Sequence, residues 1–201
     1  MHLFDLLFPP RDDERIIREI SDDEFFALMC PKLIPITQPV SVSLLPYAHP
    51  FVRSAVHEAK YHGSKRAFAL LSRVLADYLL DADDIGRNPI LIPLPLGKTR
   101  RKERGFNQTE EVVRLAANEL ALPIDTSLLV RTRETESQVS LAREKREANV
   151  RGAFATSRTL DPRPTYILID DVITTGATLQ AATDALSEAG AVHVLPLALA
   201  H

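Results

Sequence analysis

The sequence predicts an α/β fold, in which a parallel sheet is flanked by helices and preceded by a small N-terminal extension. Short, almost continuously apolar segments occur at 90–96, 165–170 and 191–199, and such segments are typical of parallel strands buried on both faces. Amphipathic helical patterns lie between them, and the stripe at 67–79 is the clearest. Buried strands that alternate with helices indicate a parallel sheet covered by helices.

The individual elements follow from the same patterns in chain order. A helix is predicted around 52–59, because Pro50 suits its first turn and Gly63 suits its end. Further helices are predicted at 67–79, 112–120 and 181–189, and strands at 90–96, 128–130, 165–170 and 191–199.

An acidic N-terminal extension, 1–48, is predicted to precede the main domain, 49–201. Residues 1–30 contain eight acidic side chains against three arginines, and their pattern indicates two short helices. Ser21 is the expected N-cap of the second helix, with Glu24 three residues later. Four prolines make 31–48 an irregular connection with one strand at 40–45.

Composition excludes several classes of protein. The 201 residues are an ordinary length for one domain, and 45% hydrophobic with 25% charged residues excludes disordered and fibrous chains. A net charge of −3 argues against a surface that binds nucleic acid everywhere, although a local basic patch is compatible with it. The single cysteine, Cys30, excludes an internal disulfide and a thiolate zinc finger, and we expect it to be buried.

The N-terminus is a poor secretion signal, because it has no basic flank and carries Asp5 before Pro9 and Pro10. No apolar run approaches the ~20 residues that a membrane span needs. We therefore expect a cytoplasmic protein without membrane insertion.

The segment most informative about function is 166–178, YILIDDVITTGAT. A buried strand delivers Asp170 and Asp171 at its carboxyl end, where ligands bind in open α/β sheets. Ionised carboxylates accept hydrogen bonds, so the pair suits two vicinal ribose hydroxyls. Neighbouring strand residues point to opposite faces, so both reach one ligand only if the chain leaves extended geometry, which we expect from the following loop.

The loop at 174–178 suits a phosphate group. Backbone N–H groups at the start of the next helix bind anions, and three threonine hydroxyls add donors. Gly176 lets the backbone approach a ligand closely. A purely structural alternative is a capping aspartate pair followed by a plain turn. Two adjacent carboxylates cost solvation unless something uses them, which favours a sugar phosphate site.

These residues resemble a known family. The stretch 166–178 resembles the phosphoribosyl pyrophosphate (PRPP) motif of type I phosphoribosyltransferases, and three further blocks are similar to the ComF/GntX-like family among them. The blocks are KYHG at 60–63, RGFNQ at 104–108, and Gln138, Arg146, Asn149 and Phe154 within 138–154. The resemblance runs from about residue 47 to the C-terminus and includes the opening FDLLFPP at 4–10.

The chain departs from the family at its N-terminus. Many members carry a four-cysteine zinc ribbon there, whereas this sequence has Asp12, Asp13 and Glu14. The resemblance therefore describes a member without a zinc site. His57 and His62 are not expected to form a metal pair either, because five residues place them about 140° apart around a helix.

The resemblance implies a set of ligand-binding residues. Asp170 and Asp171 would hold the ribose hydroxyls, and the ribose phosphate would lie on Thr174, Thr175, Gly176, Ala177 and Thr178. The loop after the strand at 90–95 would face the pyrophosphate, with the cationic candidates Lys98, Arg100, Arg101 and Arg104. Arg104 would join the two aspartates as a catalytic residue. For each basic residue, a solvated surface or a nucleic-acid patch is an equal alternative.

Residues 131–151 are predicted to form a flexible hood that closes over PRPP and excludes water. The resemblance places Gln138, Arg146 and Asn149 in it. Six basic side chains lie among polar residues with little apolar period, so a surface helix of interleaved charges is the structural alternative.

The predicted activity is Mg²⁺-dependent transfer of the phosphoribosyl group from PRPP to an acceptor, with release of pyrophosphate. No dedicated metal cage is expected, because Mg²⁺ is commonly bound through phosphates. The resemblance also implies a link to competence and the DNA-uptake machinery, while the acceptor stays open. The alternative is a non-catalytic accessory module that binds PRPP or single-stranded nucleic acid. A third interpretation is an assembly adaptor that docks through its acidic N-terminus.

Overall fold

The computed structural model describes residues 10–82, 85–133 and 152–201, and these contain seven strands and seven helices. The strands are β1 (Lys32–Ile34), β2 (Ser41–Leu45), β3 (Ile90–Pro93), β4 (Leu129–Arg131), β5 (Phe154–Thr156), β6 (Thr165–Val172) and β7 (His193–Ala200). The helices are α1 (Asp12–Glu19), α2 (Asp22–Phe26), α3 (Pro50–His62), α4 (Lys65–Asp81), α5 (Lys98–Arg104), α6 (Gln108–Leu120) and α7 (Ala177–Glu188).

Five strands form the central sheet in the order β1-β2-β7-β6-β3. Strands β2, β7, β6 and β3 are parallel, and β1 pairs antiparallel with β2 at the edge. Strands β4 and β5 form a separate antiparallel pair. The predicted α/β class, with a mostly parallel sheet flanked by helices, is confirmed.

The core lies on both faces of this sheet, and β6 shows why its sequence is apolar throughout. Ile167 and Ile169 pack into a cluster with α1, α3, α4 and α6, whereas Leu168 packs into a second cluster with α7. Alternate residues of a strand point to opposite faces, so a strand between two helical layers needs apolar residues at every position. Full burial of each such side chain contributes about 1.5–3 kcal/mol.

The N-terminal residues contribute to the same core. Ile17 of α1 and Phe25 of α2 are fully buried, and the predicted capping box joins Ser21 to Glu24. The predicted strand at 40–45 is found as β2, but β1 was not anticipated because Pro31 and Pro35 flank its three residues. The division at residue 48 stays a prediction, although β2 pairs with β7.

Two further features complete the fold. Cys30 is exposed, so the prediction that it is buried was wrong. Its backbone N–H donates to the Leu44 carbonyl at 2.9 Å, which ties the backbone to the sheet and leaves the thiol outside. In the described residues no helix combines the length and the apolar composition needed to cross a bilayer.

Candidate functional site

Strand β6 ends in the two aspartates, and both line one cleft of about 920 Å³. Asp170 is partly exposed, whereas Asp171 is only 8% exposed. The strand stays extended through Val172, so the expectation that the chain bends at this pair was wrong. Instead the Asp170 carboxylate turns back and accepts a hydrogen bond from the Asp171 N–H at 2.7 Å. In this conformation the side chains of both neighbouring aspartates line the same cleft.

Asp171 is the centre of a chain of polar contacts. Its Oδ1 lies 3.0 Å from the Lys60 ammonium on α3, and its Oδ2 accepts a hydrogen bond from Gln108 Nε2 at 2.5 Å. The Gln108 Oε1 in turn accepts a hydrogen bond from Arg104 Nη1 at 2.8 Å. Four side chains from α3, β6, α6 and α5 are thus connected at the carboxyl end of the sheet.

Asp171 changes the pKa of two neighbouring groups, the Asp170 carboxyl and the Lys60 ammonium. Burial, and then the negative charge of Asp171, raise the pKa of Asp170 to about 7. Burial by itself lowers the pKa of the Lys60 ammonium, but the charge and hydrogen bond of Asp171, together with the charge of Asp170, outweigh burial, and the pKa is raised. Near neutral pH, Asp170 is therefore close to its titration midpoint, while Lys60 stays charged.

The basic segment after β3 is helix α5, not the loop that was expected. Gly97 precedes the helix, and Gly105 ends it with a left-handed φ of 79°. Positions four apart share one side of a helix, and in the described part of the chain the cleft lining includes Arg100 and Arg104 but neither Lys98 nor Arg101. Arg101 instead pairs with Glu110 at 3.3 Å.

The motif blocks KYHG (60–63) and RGFNQ (104–108) fold against each other. Asn107 caps α6 by accepting a hydrogen bond from the Thr109 N–H, and its amide donates to the Leu94 carbonyl at 3.0 Å. Phe106 fills the space beside Gly63, where an added Cβ would lie 3.2 Å from the ring. These blocks carried the family resemblance only, and the contacts of Lys60 and Gln108 with Asp171 were not predicted from the sequence. The available signal was a lysine beside the apolar face of α3.

The loop predicted to hold phosphate divides between two cavities. Thr174 and Thr178 line the 920 Å³ cleft. Thr175, Gly176 and Ala177 instead line a second cavity of about 310 Å³, and the Thr175 hydroxyl is buried without a partner in the described residues.

The residues after β1 close one side of this loop. Gly176 has φ +76°, and an added Cβ would lie 2.9 Å from Ile36 Cγ1. The backbone N–H of Gln38 donates to the side-chain oxygen of Gln180 on α7 at 2.6 Å, and the Gln180 amide donates back to the Gln38 carbonyl at 2.9 Å. Two chain segments 142 residues apart thus hold the loop between them.

The remaining predicted site residues are Gln138, Arg146 and Asn149, which lie outside the described residues. The assignment of individual ligand contacts to any of the predicted residues stays a prediction.

One side-chain group has the chemistry of a metal site. Ligand atoms of His57, Glu58 and His62 lie within 4.8 Å of one another. The two histidines are therefore closer together than an angle of about 140° around the helix suggested. Glu58 already has a cationic partner, because the Arg11 guanidinium donates to both of its oxygens at 3.0 and 2.8 Å. His57 Nδ1 lies 2.8 Å from Asp13.

Several known proteins are similar in sequence to this chain. DNA utilization protein YhgH of Escherichia coli (strain K12) is 28% identical over 156 residues, which cover 76% of this chain and 68% of that protein. Competence protein F of Haemophilus influenzae is 33% identical over 102 residues, 50% of this chain and 44% of that protein. Competence protein ComFC of Streptococcus pneumoniae is 33% identical over 130 residues, with shares of 65% and 56%. The resemblance to the ComF/GntX-like family is confirmed.

Two further comparisons concern family models and solved structures. No protein-family model matches the chain. The crystal structure of adenine phosphoribosyltransferase from Leishmania tarentolae aligns with a TM-score of 0.43 at 18% identity, covering 84% of this chain and 79% of that one.

Proposed function

We propose that the 920 Å³ cleft binds PRPP together with Mg²⁺ and transfers its phosphoribosyl group to an acceptor, with release of pyrophosphate. The observation that carries this proposal is that one cleft brings together the carboxylates of Asp170 and Asp171, the guanidinium groups of Arg100 and Arg104, and the hydroxyls of Thr174 and Thr178. The relatives named for competence and DNA utilization support a role of this chain in DNA uptake.

Each part of the ligand has a matching chemistry in the cleft. The carboxylates of Asp170 and Asp171 are acceptors for ribose hydroxyls. Arg100 and Arg104 are donors for pyrophosphate oxygens, and charge-assisted hydrogen bonds of this kind contribute about 1.5–3 kcal/mol each. The start of α7, with Thr174 and Thr178, suits the ribose phosphate.

The reaction breaks the bond between the ribose anomeric carbon and the pyrophosphate oxygen, and a bond to the acceptor forms at the same carbon. Positive charge develops on the sugar, as in glycoside cleavage, and negative charge on the leaving pyrophosphate. Carboxylates beside the ribose stabilise the first charge, and the arginines stabilise the second.

The residues present fit a magnesium ion that arrives with PRPP. Mg²⁺ prefers oxygen ligands and keeps several waters, and the partly exposed carboxylate of Asp170 is an oxygen donor in the cleft. When bound, the ion supplies positive charge that neutralises the departing pyrophosphate. Asp170, with the phosphate oxygens of PRPP, is the group that would hold it.

Calorimetric titration with PRPP and MgCl₂ tests the proposal. We expect binding to the wild-type protein and its loss in Asp170→Asn/Asp171→Asn. The matched control is Asp12→Asn/Asp23→Asn, because those two side chains are 91% and 92% exposed. Unchanged binding in the first double variant would remove the site assignment. Pyrophosphate release that requires no acceptor would indicate side hydrolysis instead of transfer.

A second candidate function, binding of single-stranded nucleic acid, is favoured by one observation at the cleft rim. Tyr61 is 58% exposed, and the Arg104 guanidinium lies 5.1 Å from its ring centroid. Phe106, the aromatic residue of the RGFNQ block, is not available for stacking, because it packs against Phe68 with ring centroids 5.8 Å apart. Exposed rings and cations bind bases and phosphates respectively. Affinity for oligo-dT that falls steeply with salt, and that Tyr61→Ala weakens, would support this function.

A further inference from the structure

Lys60 is a partly buried cation that is not among the ligand-binding residues predicted from the sequence. It lies on α3, its side chain is 22% exposed, and it lines the same cleft as Arg100 and Arg104. Its ammonium has three N–H donors. Among the described residues its ion pair is with Asp171 Oδ1 at 3.0 Å, which uses one of them.

The stability of the fold does not explain a lysine at this position. Val56 and Ala59 of α3 are buried and apolar, so the helix has an apolar side onto which position 60 could pack. Removing a lysine and an aspartate from water costs several kcal/mol, and their attraction seldom exceeds that cost by much. An apolar pair of similar volume would serve folding as well. The charges therefore point to a ligand.

The connections of Asp171 indicate which part of the ligand Lys60 meets. One carboxylate oxygen holds Lys60, and the other leads through Gln108 to Arg104. The two cations are thus placed on either side of one anion. Asp171 has both oxygens engaged, whereas Asp170 has one oxygen turned to the Asp171 backbone and is partly exposed. The Asp171 side of the cleft is consequently the cationic side.

We propose that Lys60 is a further ligand-binding residue, whose ammonium, held by Asp171, contacts the pyrophosphate oxygens of the bound sugar polyphosphate. The inference rests on the proposed function, since it names another contact of the same cleft. It adds a cation from α3 to those that α5 supplies.

The test compares three ligands on the full-length chain: Mg²⁺-pyrophosphate, ribose 5-phosphate and Mg²⁺-PRPP. We expect Lys60→Met to weaken pyrophosphate binding about 10- to 100-fold, the range for one lost charge-assisted contact, and ribose 5-phosphate binding less than about threefold. Lys60→Arg keeps the charge and should recover most of the affinity for pyrophosphate. Lys65→Met, at an exposed lysine five residues along the chain, is the matched control and should bind all three ligands as the wild type does.

Lys60→Met leaves Asp171 without its cation, so the variant could unfold. Lys60→Met/Asp171→Asn removes both charges and carries the same expectation for pyrophosphate. Wild-type affinity for pyrophosphate in either folded variant, or an equal loss for all three ligands in Lys60→Met, would overturn the inference while the PRPP site stands. A wild-type protein that binds neither PRPP nor pyrophosphate would overturn the proposed function as well.

Discussion

Helix α3 carries two partly buried ion pairs only two residues apart, and they are built differently. On the side facing α1, the Glu58 side chain is fully buried, and one guanidinium, that of Arg11, donates to both of its oxygens. On the side facing the cleft, Lys60 meets Asp171 through a single contact of 3.0 Å. In the first pair both Glu58 oxygens accept a hydrogen bond from Arg11. In the second pair the single contact with Asp171 leaves N–H donors of Lys60 available among the described residues.

The number of hydrogen bonds in each pair indicates the role of its buried charge. Two parallel hydrogen bonds from one planar guanidinium give a rigid pairing, and this pairing fastens the N-terminal residues to the main helical layer. A single ammonium contact leaves the cation able to meet a second anion. We therefore expect changes at Glu58 and Arg11 to affect stability, and changes around Lys60 and the aspartates to affect ligand binding.

The largest expected effect on stability comes from Arg11→Met. It leaves the fully buried Glu58 carboxylate without its guanidinium, and removing one partner of a buried pair costs several kcal/mol; half exposure of Arg11 reduces this to about 2–3 kcal/mol. Urea denaturation measures the loss. Arg15→Met is the matched control, since Arg15 is 60% exposed and pairs only with exposed Asp12 in the described residues. A loss as small as that of the control, or a large change in PRPP affinity, would break the comparison.

The next effect is a gain in stability. The folded pKa of Asp170, about 7, lies above its ordinary value of 3.8, so its contribution to stability is fully present below about pH 4 and is lost as pH rises through 7. The raised pKa corresponds to about 4 kcal/mol, and solvent screening of the partly exposed carboxylate reduces this. Asp170→Asn, which keeps an acceptor for the Asp171 N–H, should therefore stabilise the protein by on the order of 2 kcal/mol at pH 8. The gain should shrink steadily toward pH 4.

Urea denaturation across this pH range measures the gain of Asp170→Asn, with exposed Asp23→Asn as the control for removing one aspartate charge. The affinity for PRPP should have the opposite pH dependence to the stability of the wild-type protein. Hydroxyl donors prefer the ionised carboxylate, so PRPP affinity of the wild type should rise between pH 6 and 8. A pH-independent stability difference would show that Asp170 is not destabilised by burial and by Asp171.

A smaller loss is expected from Gln108→Leu. The substitution leaves Asp171 Oδ2 without its amide donor and Arg104 without its acceptor, and an unpaired buried acceptor costs about 1–2 kcal/mol. Thermal unfolding measures the loss of stability, and calorimetry should show weaker binding of pyrophosphate because Arg104 is no longer held. Wild-type affinity for pyrophosphate in a folded Gln108→Leu protein would mean that the connection to Arg104 has no part in binding.

The smallest effect is expected from His57→Gln, which removes the contact of 2.8 Å between His57 Nδ1 and the Asp13 carboxylate. His57 and Asp13 are 46% and 35% exposed, and pairs of this kind contribute about 0.2–1 kcal/mol in water. We expect a change of about 0.5 kcal/mol or less in the free energy of unfolding. A loss as large as that of Arg11→Met would show that exposure does not separate the pairs on this helix.

Local patterns explain which parts of the site were predictable. Asp170, Asp171, Thr174 and Thr178 stand within nine residues of one another, and a buried strand followed by a helix brings them to one edge of the sheet. Arg100 and Arg104 could not be separated from Lys98 and Arg101 in the same way. Their separation depends on α5 being a helix, and a charged segment between two prolines and a glycine shows little apolar period.

Contacts between distant segments were not predictable. Lys60 and Asp171 are 111 positions apart, and the contact between Gln108 and Asp171 spans 63. The Arg11 and Glu58 pair spans 47. The periodicity of a helix shows only which positions are apolar. It therefore does not distinguish a charged side chain that faces solvent from one that contacts a partner residue or a ligand.

The amino-acid sequence by itself determined the α/β class, the strand that carries the aspartates and the family that this chain resembles. These depend on short-range order, since strand and helix periods and a motif of thirteen residues are complete within one segment. Only the tertiary structure decided which charges are buried together: Glu58 with Arg11, and Asp171 with Lys60 and Gln108. The physical reason is that a buried charge is stabilised by whichever groups packing brings within about 3 Å, and packing depends on the whole chain.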